Sequence, residues 1–430
     1  MSDLLYREDP EFEIVKNPKE HNTVVTSIKH ARTDSQNTLN PVWIDEDEAG
    51  KIKVENTLSQ PTILDIKARL NRKRKLGLSG SPELGNCDVE KLYEVLRVDD
   101  DCFTGSEIRM RRLHDANRER LSCGSLTSVE FSHSYHIFMT TCVDTTMALF
   151  NFGKSDCPLL VDCVFEKFPV SSAKFFSAGE KIILTGKKSY FKVYDINSGK
   201  ETHPNVPLGI HCKEQVNNVQ VSPKDNIAAL SAPNRVYLVD LRTLEKIATA
   251  RVSGSVTSHC FSHKGELLNT FSADGSVFVF DLRHNARPMY RWTDYSCAGG
   301  SSFAISDDSK YIACGSETGY VNIYMWAAVM NEGTRTPKPL KSVGNLATGV
   351  DQLLFHPSGQ VLYMASSLEP AAARLFDLDS QRVYSNFPAC MGELGVPTSV
   401  GFSLNGGYLA VGQESGRAAL YQFDWKKAKY

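Results

Sequence analysis

The chain contains no run of eighteen or so uninterrupted apolar residues, the length a bilayer-spanning helix requires. Its opening, MSDLLYREDPEFE, carries carboxylates where a secretory leader carries a basic segment, so the protein is expected on the reducing side of the cell. The 11 cysteines form no CxxC pair and are odd in number. Several, such as Cys142, Cys260 and Cys314, fall inside strand-like apolar runs, which predicts small buried thiols rather than disulfides. Excess charge is missing too: 48 basic against 50 acidic residues leave a formal net charge of -2, which excludes a uniformly basic coat for nucleic acid. Any such contact must come from local patches. At 430 residues, 41% of them hydrophobic, the chain can bury a large core and carry an extension besides.

Catalytic constellations are equally scarce. The segment SHCFSH (258–263) offers His259, Cys260 and His263, but neighbours on a strand point to opposite faces, so His259 and Cys260 do not converge on a metal. No segment reads GxxxxGK[ST], and none of the Gly-containing turns stands between a strand and a helix as a phosphate loop does. Neither catalytic residues nor metal ligands nor a cofactor are expected.

An internal repeat fills the space these absences leave. From Ser125 onward seven copies align: SLTSVEFS, PVSSAKFF, QVNNVQVS, SVTSHCFS, GSSFAIS, GVDQLLFH and PTSVGFS. Their anchors Phe131, Phe175, Val221, Phe261, Ile305, Phe355 and Phe402 are spaced by 44, 46, 40, 44, 50 and 47 residues, near the roughly 40 to 45 of a four-stranded propeller blade. Each copy has the same grammar. A polar turn such as SHKG, HPSG or SLNG leads to a second strand, and SADGS or SETGY then leads to a third, as in VFVFDL or VNIYMW. Glycine and Asp-Gly supply the left-handed backbone that such tight turns need. The pattern resembles a seven-bladed WD-repeat β-propeller over residues 105–430, an all-β fold. Its Trp-Asp signature is reduced to Asp195, Asp240, Asp281 and Asp377 at the ends of third strands. SADG at Ser272 places its Gly one position early for the Ser-x-Asp-x-Gly box of sialidase-like rings. The last copy ends at Phe423 with too little chain left for an outer strand, so SEIRMRRLHD (106–115) is expected to supply it and close the ring.

Residues 1–104 show no repeat and few apolar runs, which predicts a mostly disordered N-terminal extension. One short helix is expected from Pro61, with Ile63, Ile66 and Leu70 on one face and Gly77 at its end. Its last turns hold Lys67, Arg69, Arg72, Lys73, Arg74 and Lys75, which read as a nuclear import signal, an RNA phosphate contact or a solvated face. A second basic group, Arg109, Arg111, Arg112, Arg118 and Arg120, lies on or beside the closing strand. If the strand is extended, Arg109 and Arg111 share one side of a basic rim; the alternative is a solvated edge that discourages aggregation. Upstream, Val42, Trp43 and Ile44 run straight into Asp45, Glu46 and Asp47, a sequence ill suited to burial because each ionised carboxylate taken out of water is costly unless paired.

Beyond the generic ring, several segments resemble the U3 small nucleolar RNA-associated protein 18 family: RMRRLHDANRE near residue 110, YIACGSETGYVNIY (311–324), PKPLKSVGNLATGV (337–350), YSNFP (384–388) and GFSLNGGYLAVGQESGRAALY (401–421). NPVWIDEDE and KARLNRKRK look like that family's extension. The resemblance implies a non-enzymatic, nucleolar component of the small-subunit processome that acts in early processing of the small-subunit ribosomal RNA precursor. Implied partners are a propeller-rich subcomplex, the U3 ribonucleoprotein and pre-rRNA, with no membrane. It also implies a linear motif that recruits the exosome-associated RNA helicase. The nearest candidate here is Val42, Trp43, Ile44, Asp45, Glu46 and Asp47, in which the Leu-Phe form of the motif is absent. Contact with a neighbouring processome subunit, or packing on the propeller, would account for the same residues. The competing reading of the whole chain is a generic WD-repeat adaptor, such as a substrate receptor of a ubiquitin ligase.

Overall fold

The structure, a computed structural model, describes residues 107–423 apart from 133–135, 153–156, 204–213 and 225–226. The helix expected from Pro61, the Val42–Asp47 motif and the Lys67–Lys75 run lie outside the described residues.

Among the described residues, 28 strands form seven four-stranded antiparallel sheets, as the repeat predicts. In blade 4 the inner strand is Val256–Phe261, followed by Leu267–Ser272, Ser276–Asp281 and the outer Arg287–Thr293. The second and third strands of a blade are buried on both faces: Ser276–Asp281 is buried at every position and Leu267–Ser272 at all but its first. This explains why these segments read as continuous apolar runs rather than alternating ones. The core is accordingly a set of clusters between neighbouring blades; Ala229, Leu238 and Val236 of blade 3, for instance, pack with Phe261, Leu268 and Phe280 of blade 4.

Asp195, Asp240, Asp281 and Asp377 have a common task. Each carboxylate accepts a hydrogen bond from the backbone N–H two residues on, at Asn197 (2.9 Å), Arg242 (2.8 Å), Arg283 (3.0 Å) and Asp379 (3.2 Å). The Asp therefore organises the turn into the outer strand, a role that needs no tryptophan before it. Gly406 in the SLNG turn shows why glycine is required there. Its φ is +68°, and a Cβ would lie 2.4 Å from the His356 ring of the preceding blade.

The inner strands are joined around the whole ring by polar side chains that reach the next blade. Ala173 N–H donates to Ser128 Oγ (3.0 Å), Ser172 Oγ to Asn218 Oδ1 (3.2 Å), and Ser258 Oγ to Phe303 O (3.3 Å). Between blades 3 and 4, His259 Nε2 lies 3.1 Å from Ala229 O. Onward, Ser302 Oγ donates to Val350 O (2.6 Å), Gln352 Nε2 to Pro397 O (3.3 Å) and Thr398 Oγ1 to Leu126 O (2.7 Å), the last joining blade 7 back to blade 1.

Blade 7 is composite. Its sheet order places Met110–Arg112 outside Ala418–Phe423, with Met110 opposite Phe423, Arg111 opposite Gln422 and Arg112 opposite Tyr421. The ladder continues irregularly through Leu113 N–H to Leu420 O and Ala116 N–H to Ala418 O, both 2.8 Å. Two asparagines clamp the segment. Asn386 accepts from Ile108 N–H (3.0 Å) and donates to Ile108 O (2.7 Å), while Asn117 accepts from Ala418 N–H (2.9 Å) and donates to Gly416 O (2.8 Å).

One element was not read from the sequence. Between the third and outer strands of blade 5 the chain inserts a helix, Trp326–Glu332, ended by Gly333 in the left-handed conformation. This insertion accounts for the longest anchor spacing, the 50 residues from Ile305 to Phe355.

Candidate interaction surfaces

Inside the ring the titratable groups serve structure. His259 is 1% exposed and faces blade 3, whereas Cys260 packs with Phe271, Phe303 and Ile305 toward blade 5, so the two point apart. Burial pushes the Cys260 thiol up to about 11 and the Cys297 thiol likewise to about 11, away from the thiolate that nucleophilic chemistry needs. Asp294 is the most unusual carboxylate. It is 3% exposed, and burial raises its pKa although Tyr324 Oη and Asn322 Nδ2 both donate to Oδ1. Enclosed in this way, it fixes Tyr324 and Asn322 and offers no opening to a substrate. Among the described residues no group of three or more His, Cys, Asp or Glu is placed to hold a metal ion.

The arginines of the closing segment lie at the outer edge of blade 7. Arg109 and Arg111 are exposed and alternate with buried Ile108 and Met110. Most of this group is engaged locally. Arg111 donates through Nε (3.1 Å) and Nη2 (2.7 Å) to Gln422 Oε1. Arg112 bonds Glu393 O and pairs with Asp115 at 3.4 Å, and Arg120 pairs with Asp162 of blade 1 at 2.8 Å. Arg118 lines a cleft that also contains Asp115 and Glu119. The net field here is therefore weaker than a list of five arginines suggests, and much of their hydrogen-bonding capacity ties blades 6, 7 and 1 together.

A different basic surface emerges on the blade 5 insertion. From Gly333 to Val350 the chain has no Asp or Glu, while Arg335, Lys338 and Lys341 are all exposed. None of the three has an ion-pair or side-chain hydrogen-bond partner among the described residues. The segment is held from both sides. Thr293 N–H on the outer strand of blade 4 donates to Arg335 O (2.7 Å), Tyr290 Oη donates to Thr334 O (2.7 Å), and Leu340 N–H donates to Ile323 O of blade 5 (2.7 Å). The acid-free run TRTPKPLKSVGNLATGV was the available signal for it in the sequence.

A third surface is the outer strand of blade 1, Leu159–Val164, where Leu160 is 49% and Val164 60% exposed. Asp162 between them is neutralised by Arg120, so this edge has little of the charge that usually guards a free strand.

Seven four-stranded blades closed by an N-terminal strand, with turn-capping Asp residues at the ends of third strands, define a WD-repeat β-propeller. No protein-family model matches the chain. The chain is 29% identical over 421 residues to the mouse (Mus musculus) U3 small nucleolar RNA-associated protein 18 homolog, covering 90% of this chain and 76% of the relative. It is 32% identical over 319 residues to the Homo sapiens protein of that name (73% and 56%) and 26% identical over 358 residues to the Saccharomyces cerevisiae protein (73% and 60%). The matches to the human and yeast proteins thus span less than two thirds of those relatives. Relatives of the same name also occur in a plant, an insect, a nematode and a second yeast, and the chain belongs to this family of U3 small nucleolar RNA-associated protein 18 homologues.

Proposed function

We propose that the protein is a non-catalytic scaffold of the small-subunit processome, acting in the nucleus and nucleolus with the U3 ribonucleoprotein in processing of the pre-18S ribosomal RNA. The observation that carries this reading is the agreement of seven relatives named for association with U3 small nucleolar RNA, six of which match over 73% or more of this chain. A closed ring suits the task because its rigid blades present loops and rim to several partners at little conformational cost. Residues 105–430 act as this platform, and residues 1–104 as an extension carrying short motifs. Lys67, Arg69, Arg72, Lys73, Arg74 and Lys75 serve nuclear import or RNA contact within it. Tagged protein purified from cells is expected to recover U3 RNA far above an unrelated propeller and to concentrate in nucleoli. A diffuse cytoplasmic signal without U3 enrichment would overturn the scaffold reading in favour of a general WD-repeat adaptor.

Within the extension, Val42, Trp43, Ile44, Asp45, Glu46 and Asp47 form a docking peptide for the exosome-associated RNA helicase. An aromatic anchor dominates a small interface, and the carboxylates steer it toward a basic groove. Trp43→Ala with Asp45→Ala is expected to lower helicase recovery at least tenfold while U3 recovery persists; equal helicase recovery by the two proteins would assign the peptide another partner.

A further inference from the structure

We propose that Arg335, Lys338 and Lys341 form a rail on the rim of blades 4 and 5 that binds the phosphate backbone of RNA. The proposal rests on the scaffold reading above and names the surface through which the propeller itself meets RNA. Three observations converge. First, the three cations form no ion pair: no carboxylate occurs between Glu332 and Asp351, and none of the three side chains is engaged among the described residues. An uncompensated cluster of this kind attracts a polyanion and gains by releasing its counterions.

Second, the rail is preorganised. Hydrogen bonds from Thr293 and Tyr290 on one blade and to Ile323 on the next fix both its ends. Pro337 is buried, and Pro337 and Pro339 restrict the backbone on either side of Lys338. Arg335 and Lys341 are six positions apart, so the three charges fall within about 20 Å of chain. Binding orders only side chains, and the segment need not fold around its ligand.

Third, the surroundings fit phosphate better than an acidic protein. Thr334 and Thr336 are exposed and add hydroxyl donors of the kind that contact phosphate oxygens. Leu340 is the one large apolar side chain exposed in the segment, since Val343, Leu346 and Val350 are buried.

The test compares the full-length protein with its Arg335→Gln, Lys338→Gln, Lys341→Gln variant, using a short polyuridylate and an RNA hairpin as probes over a range of salt. Three lost phosphate contacts should flatten the slope of log K against log salt by about 2 on the single strand and about 3 on the duplex, with at least a tenfold loss of affinity at low salt. A charge-preserving variant, Arg335→Lys, Lys338→Arg and Lys341→Arg, should keep the wild-type slope. All three side chains are exposed, so the urea midpoint should not move. Coincident slopes for wild type and the Gln variant would overturn the proposal, as would a variant that loses polyglutamate binding but retains RNA. Both proteins carry Lys67–Lys75, so the difference isolates the rail. Recovery of U3 RNA from cells bears on the scaffold reading alone: if U3 is recovered while the slopes coincide, the rail fails and the scaffold stands.

Discussion

A chain that begins at Ala116 is expected to lose the cooperative unfolding transition that a chain beginning at Glu107 retains. The shorter chain lacks Ile108 and Met110, which are 2% and 6% exposed and pack with Tyr384, Phe387, Leu409 and Tyr421. Burying two such side chains stabilises by roughly 3–6 kcal/mol together, a large share of the 5–15 kcal/mol of an ordinary domain. The loss goes beyond apolar area. Ala418–Phe423 would become an open edge, and Asn386 would lose the backbone groups it clamps. The shorter chain should therefore aggregate or melt at markedly lower urea. Matched urea midpoints for the two chains would show that the closing strand is dispensable. Within the full chain, Asn386→Ala should lower the midpoint in the same direction by a smaller amount, because it leaves the strand in place and removes two hydrogen bonds.

The ring itself was legible because its signals are local and repeated. Turn glycines recur at a fixed distance from an apolar anchor, and Gly265, Gly275, Gly319, Gly359 and Gly406 all have the positive φ that their turns imply. Closure was legible by strand count, since one blade lacked a partner at the C-terminal end and one spare segment lay before the first repeat. The state of the rim arginines was not legible. Arg120 meets Asp162, Arg111 meets Gln422 and Arg112 meets Glu393 O, and these partners are 42, 311 and 281 residues away. A one-dimensional reading counts such charges without their partners. The blade 5 insertion was hidden for the opposite reason, because a 50-residue spacing after Ile305 differs little from the 40 to 47 of the other blades and leaves no mark in the repeat. His356 was read as part of a turn because HPSG has turn composition. In the fold it also lies under the next blade, with ring centroids 5.1 Å from Phe402 and 5.5 Å from Phe423.

Those two buried histidines lead to the second large effect, a loss of stability as pH falls from about 6.5 to 4. His259 and His356 are each 1% exposed, and burial pushes both pKa values down to about 4. Burial disfavours the charged ring at both sites. Nε2–H of His259 donates to Ala229 O at 3.1 Å, while Nδ1 has no partner. Nε2–H of His356 donates to Gly406 O at 2.8 Å, and its Nδ1 accepts from Ser358 N–H at 3.1 Å. A proton added at His259 Nδ1 would be buried without an acceptor, and one added at His356 Nδ1 would displace the bond from Ser358 N–H and leave a charge in a buried site, with only Ser358 Oγ at 2.8 Å to receive it. The unfolded chain binds these protons near pH 6.5 and the folded chain only near pH 4, so the unfolded state gains protons first on acidification. The stabilisation is complete above pH 6.5 and declines through that window, by about 3 kcal/mol for each histidine. Both rings bolt one blade to the next, at the 3–4 and 6–7 junctions, so the lost energy falls on ring closure rather than on one blade alone. Urea titrations between pH 7 and pH 4 should show a slope approaching 1.4 kcal/mol per pH unit for each histidine. His259→Gln and His356→Gln should each lower stability at pH 7 and remove their share of that slope. A slope unaltered in the double variant would place the acid sensitivity in the carboxylates instead.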